Sequence, residues 1–387
     1  MRITAVKSFP VRAGYRDWLL VKVETDSGMS GWGEATIIGY ARTLKGAVED
    51  LVGDALVGKD PRTVEVHTHT MMRDAWVMPS IMLQSAIAGV ENALWDITAK
   101  DLGVPVYALF GGGFQTRIPV YDNIWYFSAR TLDDYGRLAE KAVANGARRL
   151  KWDPFWGADA YVTKEQVQSA KDCVRVVREA VGDDIELLIE MHGRFSPQDA
   201  IRLIRELDEY RPYWYEEPLA PSCSLEYLKP VAAATKVPIA TGERVFSRSG
   251  YWDLLNLGVV SVVQPDMTLC GGFAETKLIA GMAQTHYVKV APHSASGPFL
   301  AAANLHLDAC IPNFLIQEFF SADRAIYEEI LVDSFLVPVD GYVQIPDKPG
   351  WGLEVNEQAL EKRPYEPQKH PLHGGHYKTL EEYGRKD

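Results

Sequence analysis

Positive charge is in short supply in this chain of 387 residues: 40 Lys and Arg stand against 52 Asp and Glu, a formal net charge of −12. That balance argues against a nucleic-acid binder, which needs a basic face, and against an anionic membrane surface. It leaves an anionic small substrate open, because a bound cation can reverse the local field. Cysteine is scarce too. Cys173, Cys223, Cys270 and Cys310 lie far apart with no CxxC pair, so neither a disulfide scaffold nor a thiolate metal site is expected. The first residues carry no apolar leader, and no apolar run approaches membrane length. A soluble cytoplasmic protein with reduced thiols is the expectation. Two motifs are also missing. Gly111-Gly112-Gly113 lacks the spacing of a nucleotide loop, and no GxSxG elbow is present.

What is present changes rhythm along the chain. Ile3 to Arg12 and Trp18 to Thr25 are β-rich, Asp26-Ser27-Gly28 signals a turn, and Met29 to Thr36 could pair back as a hairpin. Ile87, Val90, Leu94 and Ile97 then fall at helical spacing, with Gly103 as a stop. Strands followed by helices predict an α+β domain over 1–125. Beyond it, short apolar strands alternate with amphipathic helices: Arg149–Trp152, Ile185–Ile189, Tyr213–Tyr215, Pro238–Ala240, Val259–Val263, Val288–Ala291 and Phe314–Ile316. About seven such units in roughly 200 residues predict a (β/α)-barrel, an α/β fold, over 126–335. The Pro- and Gly-rich segment 336–387 is expected to return to the first domain.

Polar residues gather at the predicted strand ends, where barrel enzymes keep their sites. In order these are Lys151-Trp152-Asp153, Glu190-Met191-His192, Glu216-Glu217, Glu243-Arg244, Gln264-Pro265-Asp266, Pro292-His293 and Gln317-Glu318. Any one of them reads equally well as a helix cap. Seven in succession do not. Glu190, Glu216 and Glu243, on three successive strands, would repel one another unless a cation sat between them. Oxygen ligands alone suit Mg²⁺, with Mn²⁺ as a substitute. Asp266 and His293 end neighbouring strands, so an Asp–His pair is plausible. His67, His69, His286 and His306 fall in helices or loops and are expected to be structural. The tail histidines His370, His373 and His376 read as a solvated terminus.

These motifs, in this order, resemble the enolase superfamily and its acid-sugar dehydratases. The likeness also takes in Gly31-Trp32-Gly33-Glu34, Ala93-Leu94-Trp95-Asp96, Leu102-Gly103-Val104-Pro105 and Pro312-Asn313-Phe314. It implies a modified TIM barrel with an N-terminal capping domain. It also implies metal ligands at Glu190, Glu216 and Glu243, a general base in the Asp266–His293 dyad, and an extra histidine, His192, as the acid. Glu190 stands where many members have Asp. Lys151-Trp152-Asp153 lacks the second lysine of the Lys-x-Lys found in mandelate-racemase relatives, which counts against a two-base racemase.

The implied reaction is dehydration of an aldonate, such as galactonate or gluconate, to a 2-keto-3-deoxy acid through an enediolate. His293 would take the C2 proton, His192 would protonate the leaving hydroxyl, and Glu318 would meet the substrate carboxylate. Lys151, Asp153 and Arg194 are expected to hold the substrate, together with Arg16 and Trp76 from two capping-domain loops, Ala13 to Trp18 and Met72 to Pro79. A symmetric homo-oligomer is expected. A racemase or epimerase of a 2-hydroxy acid on the same scaffold is the nearest alternative. A glycoside hydrolase and a non-catalytic sugar-acid-binding protein stand further off.

Overall fold

The computed structural model describes residues 1–14, 16–74 and 80–366. Three antiparallel strands open the chain, β1 (Ile3–Ala13), β2 (Arg16–Thr25) and β3 (Ser30–Glu34), in the order β1-β2-β3. The helix Ile81–Leu102 lies against this sheet. It starts on the Ser80 side chain and stops at Gly103 in the left-handed conformation. Gly33 permits the close approach, since a Cβ there would stand 2.1 Å from the carbonyl oxygen of Gly89. Leu19, Val21, Ile87, Val90 and Leu94 fill the core between sheet and helix.

The barrel is built from eight parallel strands: β4 (Arg117–Asp122), β5 (Arg149–Trp152), β6 (Glu186–Glu190), β7 (Trp214–Glu216), β8 (Ile239–Thr241), β9 (Val262–Val263), β10 (Lys289–Val290) and β11 (Gln317–Phe319). β11 pairs with β4 in parallel. Val290 and Leu315 close the ring on the other side, the Val290 N–H donating to Asn313 and the Leu315 N–H to Val290. The barrel with its separate N-terminal domain is the predicted architecture. The boundary expected at 125 falls one strand late, because Arg117–Asp122 already belongs to the barrel sheet. That strand begins and ends on charged residues, and Pro119 interrupts it, so its composition does not read as a buried strand. The eighth strand also sits three residues later than its apolar run, because Phe314 bridges to β10 before the chain reaches β4.

Tyr121, Leu188, Trp214, Ala240, Val262, Ala291 and Ile316, one from each of seven strands or its edge, pack together inside the barrel. Alternate residues of a strand share a face. Stepping two residues toward the C-terminal end from five of these positions gives Asn123, Glu190, Glu216, His293 and Glu318. The apolar layer is therefore the floor of a polar one, and the site's position follows from strand parity.

Carboxylates from the first domain tie it to the barrel. The helix Phe273–Thr285 begins at Gly272 and Pro298–Cys310 at Gly297, neither of which offers a capping side chain. Glu91 accepts hydrogen bonds from the Phe273 and Ala274 N–H groups at 2.8 and 3.0 Å, and Glu34 from Gly297 and Leu300 at 2.6 and 3.1 Å. Each carboxylate meets the positive end of a helix. The described part of the C-terminal segment meets the same domain at Trp351. Trp351 is buried, its backbone N–H donating to Asp96 and its indole N–H to the Trp32 carbonyl. No helix among the described residues is long and apolar enough to cross a membrane.

Candidate metal centre and active site

Glu190 ends β6 and Glu216 ends β7, where the two are register partners. Glu243 follows β8 by two residues. Each offers one carboxylate oxygen within 4.8 Å of the others, and all three residues are buried. The extra methylene of Glu190 does not keep its carboxylate out of the cluster. Electrostatics shows what such a cluster lacks. Burial and the neighbouring Glu243 raise the Glu190 carboxyl, and burial and Glu190 raise Glu216 well above its ordinary value. At Glu243 burial is outweighed by Arg244 and His293, and the carboxyl falls to about 2. Three buried carboxylates that resist shared ionisation, with oxygen as the only donor, fit a hard divalent cation.

Lys151 on β5 reaches into this cluster. Its ammonium contacts Glu190 at 3.2 Å and Glu318 at 2.7 Å and pairs with Glu216. Lys151 itself is 2% exposed. Burial opposes its charge, but Glu216 and Glu318 hold it protonated. Glu318 also accepts from the Asn123 amide at 2.8 Å and from the Ser294 N–H at 2.9 Å. Lys151 and His293 outweigh its burial and lower its carboxyl.

The Asp–His pair forms as the sequence suggests. His293 Nδ1 lies 2.7 Å from Asp266, and Nε2 faces Glu243 at 3.4 Å. Asp266 is itself fixed, because its other oxygen accepts from the Thr268 hydroxyl and N–H and from the Leu269 N–H. Burial would discharge His293, but Glu243 and Asp266 push its imidazole up to about 10.

A second Asp–His pair stands beside the first. His192 Nδ1 lies 2.6 Å from Asp153, a residue singled out in the sequence for holding substrate. Asp153 also pairs with Arg194 and accepts the Phe155 N–H at 2.8 Å. His192 has φ 51°, a left-handed conformation rare outside glycine. Its N–H donates to Glu190 at 2.6 Å, which bends the chain back over the ligand. Gly193 follows at φ 58°, and a Cβ there would meet the Arg244 guanidinium at 2.8 Å.

Other expected site residues sit at the margin. Arg16 is buried, paired with Asp323, and donates to the Ala295 carbonyl at 3.1 Å, so it braces the loop that carries His293. Trp76 lies outside the described residues, as do His370, His373 and His376. His306 is buried within the barrel helix Pro298–Cys310, and His67 is buried in the helix Val64–Asp74. The sequence reading left Asn123, Glu217 and Arg244 without roles. Arg244 bridges Glu217 at 2.9 Å and Glu243 at 3.0 Å, orienting a ligand from behind. Its place beside Glu243 was visible in the sequence. Asn123 could be found only once β4 was known to be a barrel strand.

A barrel whose mouth joins a buried carboxylate trio to Asp–His pairs could hold a metal ion beside groups able to transfer protons. Comparison with known proteins makes this specific. Residues 134–359 match the enolase C-terminal domain-like family, and residues 11–111 match the mandelate racemase / muconate lactonizing enzyme N-terminal domain. D-galactonate dehydratase of Xanthomonas campestris pv. campestris (strain B100) is 37% identical over 358 residues, 89% of this chain and 90% of the relative. D-galactonate dehydratase of Pectobacterium atrosepticum is 35% identical over 94% of both chains. Among solved structures, a member of the enolase superfamily from Salmonella Typhimurium has a TM-score of 0.87 at 30% identity, covering 94% of this chain and 98% of its own. An enolase from Agrobacterium radiobacter, bound to sodium and L-malate, has a TM-score of 0.83 at 30% identity, covering 94% and 95%. The chain belongs to the enolase superfamily, on the branch that holds its dehydratases.

Proposed function

We propose that the protein is a magnesium-dependent hydro-lyase that converts an aldonate, such as galactonate or gluconate, to the 2-keto-3-deoxy acid. One observation carries the reading: two histidines, each held at Nδ1 by an aspartate, flank one buried three-carboxylate cluster. The dehydratase relatives supply the reaction class and make D-galactonate the first substrate to try.

Glu190, Glu216 and Glu243 would hold one Mg²⁺, with Mn²⁺ as a substitute. When bound, the ion offsets the Glu243 charge that faces His293 and the second negative charge that develops on the substrate. His293 then takes the C2 proton at Nε2, since Asp266 occupies Nδ1. His192 gives a proton to the C3 hydroxyl. The C3–O bond breaks, water leaves, and the enol formed between C2 and C3 tautomerises to the 2-keto acid. Glu318 meets the substrate carboxylate, and Lys151 balances its charge. Arg194, paired with Asp153, backs the acid, and Arg16 braces the loop that carries His293. A symmetric homo-oligomer in the cytoplasm completes the reading, in keeping with four free cysteines.

The test is a panel of sugar acids with Mg²⁺, assayed for 2-keto acid. Release from D-galactonate or a stereoisomer is expected. Exchange of the C2 proton with solvent deuterium and no 2-keto acid would select the racemase or epimerase instead.

A further inference from the structure

We infer that Asp153 is a positioning residue for the departure of the C3 hydroxyl, acting through His192; the inference rests on the dehydration reading above. Both Asp153 oxygens already have partners. One accepts the Phe155 N–H, and the other meets Arg194 and His192 Nδ1. Asp153 holds Nδ1, and the dehydration reading assigns Nε2 to the substrate. Asp153 is nearly fully buried, whereas the His192 side chain is 26% exposed, so a fixed anion stands behind a partly exposed ring. Arg194 is anchored in turn by the Phe155 carbonyl at 2.6 Å. The result is a chain of contacts from the protein interior to one ring nitrogen.

The geometry parallels Asp266 and His293. His293 Nε2 lies 3.4 Å from Glu243 and the His192 N–H donates to Glu190 at 2.6 Å, so each dyad touches the same carboxylate cluster. One dyad serves C2 and the other C3. In the step assigned to His192, the imidazolium donates from Nδ1 to Asp153 and from Nε2 to the C3 oxygen. The Nε2 proton goes to that oxygen as the C3–O bond breaks. The ring left behind is neutral and keeps its Nδ1 proton against Asp153. An aspartate that only bound substrate would not need the histidine, and one that only stabilised the loop would not discriminate between leaving groups.

Leaving groups therefore provide the test. An aldonate with fluorine in place of the C3 hydroxyl loses fluoride without needing a proton. Asp153→Asn is expected to slow water loss from the hydroxy acid by about 10²–10⁴-fold. Fluoride release and C2 deuterium exchange should stay near wild type. Adding Asp153→Asn to His192→Asn should cost nothing further, since both act at one proton. Asp153→Asn strands the Arg194 charge, so the same assays on Asp153→Asn with Arg194→Gln guard against a folding defect. Equal losses of water and fluoride elimination, or additive losses in the double variant, would overturn the inference. A separate readout uses no substrate. In ¹⁵N-histidine spectra of the wild type, the His192 Nδ1 proton should be present and hydrogen-bonded, and Asp153→Asn should remove that signature. Its absence in the wild type overturns the inference. If the signature is present but no sugar acid yields a 2-keto acid, the dehydration reading fails and the Asp153–His192 pairing does not.

Discussion

Lys151→Met is the most informative single change, because it removes the protein's own cation from among the candidate metal ligands. The ammonium lies 3.2 Å from Glu190 and 2.7 Å from Glu318 and pairs with Glu216, all of them buried. A pair 3.2 Å apart at an effective dielectric near 20 is worth about 5 kcal/mol before the cost of dehydrating the ions. Breaking a buried pair by removing one partner costs about 3–5 kcal/mol net. Methionine fills the space of the aliphatic stem, so most of the change is in charge. In a barrel-sized domain such a loss lowers the melting temperature on the order of 10 °C. With Lys151 gone, Glu190 and Glu216 lose the ammonium between them, and an added cation can take its place. Mg²⁺ should therefore restore more stability to the variant than it adds to the wild type. The assay is thermal unfolding by circular dichroism, in chelator and then in millimolar Mg²⁺. A variant as stable as wild type in chelator, or one that gains no more from Mg²⁺, would refute the claim that Lys151 and the ion both balance Glu190 and Glu216.

Further consequences can be measured directly. His293→Asn should abolish C2 deuterium exchange together with dehydration, each by at least about 10²-fold, whereas His192→Asn should spare the exchange; loss of exchange in both would mean that the two rings do not divide the work. Arg16→Met strands buried Asp323 and should destabilise the fold by about 3–5 kcal/mol, read by urea denaturation; an effect confined to KM would mean that Arg16 holds substrate. Burial raises the Glu91 carboxyl to about 7 from an ordinary 4.5, despite the bonds from Ala274, Trp95 and Phe273. Between those values the folded state binds a proton that the unfolded chain has released. The contribution is therefore full below about 4.5 and lost as pH rises through about 7, so stability falls across that window. Glu91→Gln should flatten this slope, and an unchanged slope by urea titration across pH would refute the assignment.

Much of the site was legible in the chain because strand parity is a local property. Two-residue steps along predicted strands already placed Glu190 with His192 and separated Glu216 from Glu217, which faces Arg244 and Thr241. Short apolar runs at regular spacing, each ending on an acid, a histidine or a lysine, admit few folds besides a barrel with its polar residues at one end. Partnerships are a different matter, because they join strands that the sequence does not order in space. Asp153 was read as a contact for sugar hydroxyls and lies against His192. Lys151 was read the same way and lies among three carboxylates. Arg16 was read as part of a specificity loop and is buried against Asp323, 307 residues away.

By itself the sequence determined the repeating strand-and-helix units, the residue types at their ends and the face each one shares with its neighbours, since these depend on backbone periodicity over a few residues. Ring closure alone decided which of those ends meet. It brought β11 beside β4, revealed Arg117–Asp122 as a barrel strand, and set Glu34 and Glu91 on helices that begin without caps of their own. Such contacts depend on distance in space between residues far apart in the chain, and only packing fixes that distance.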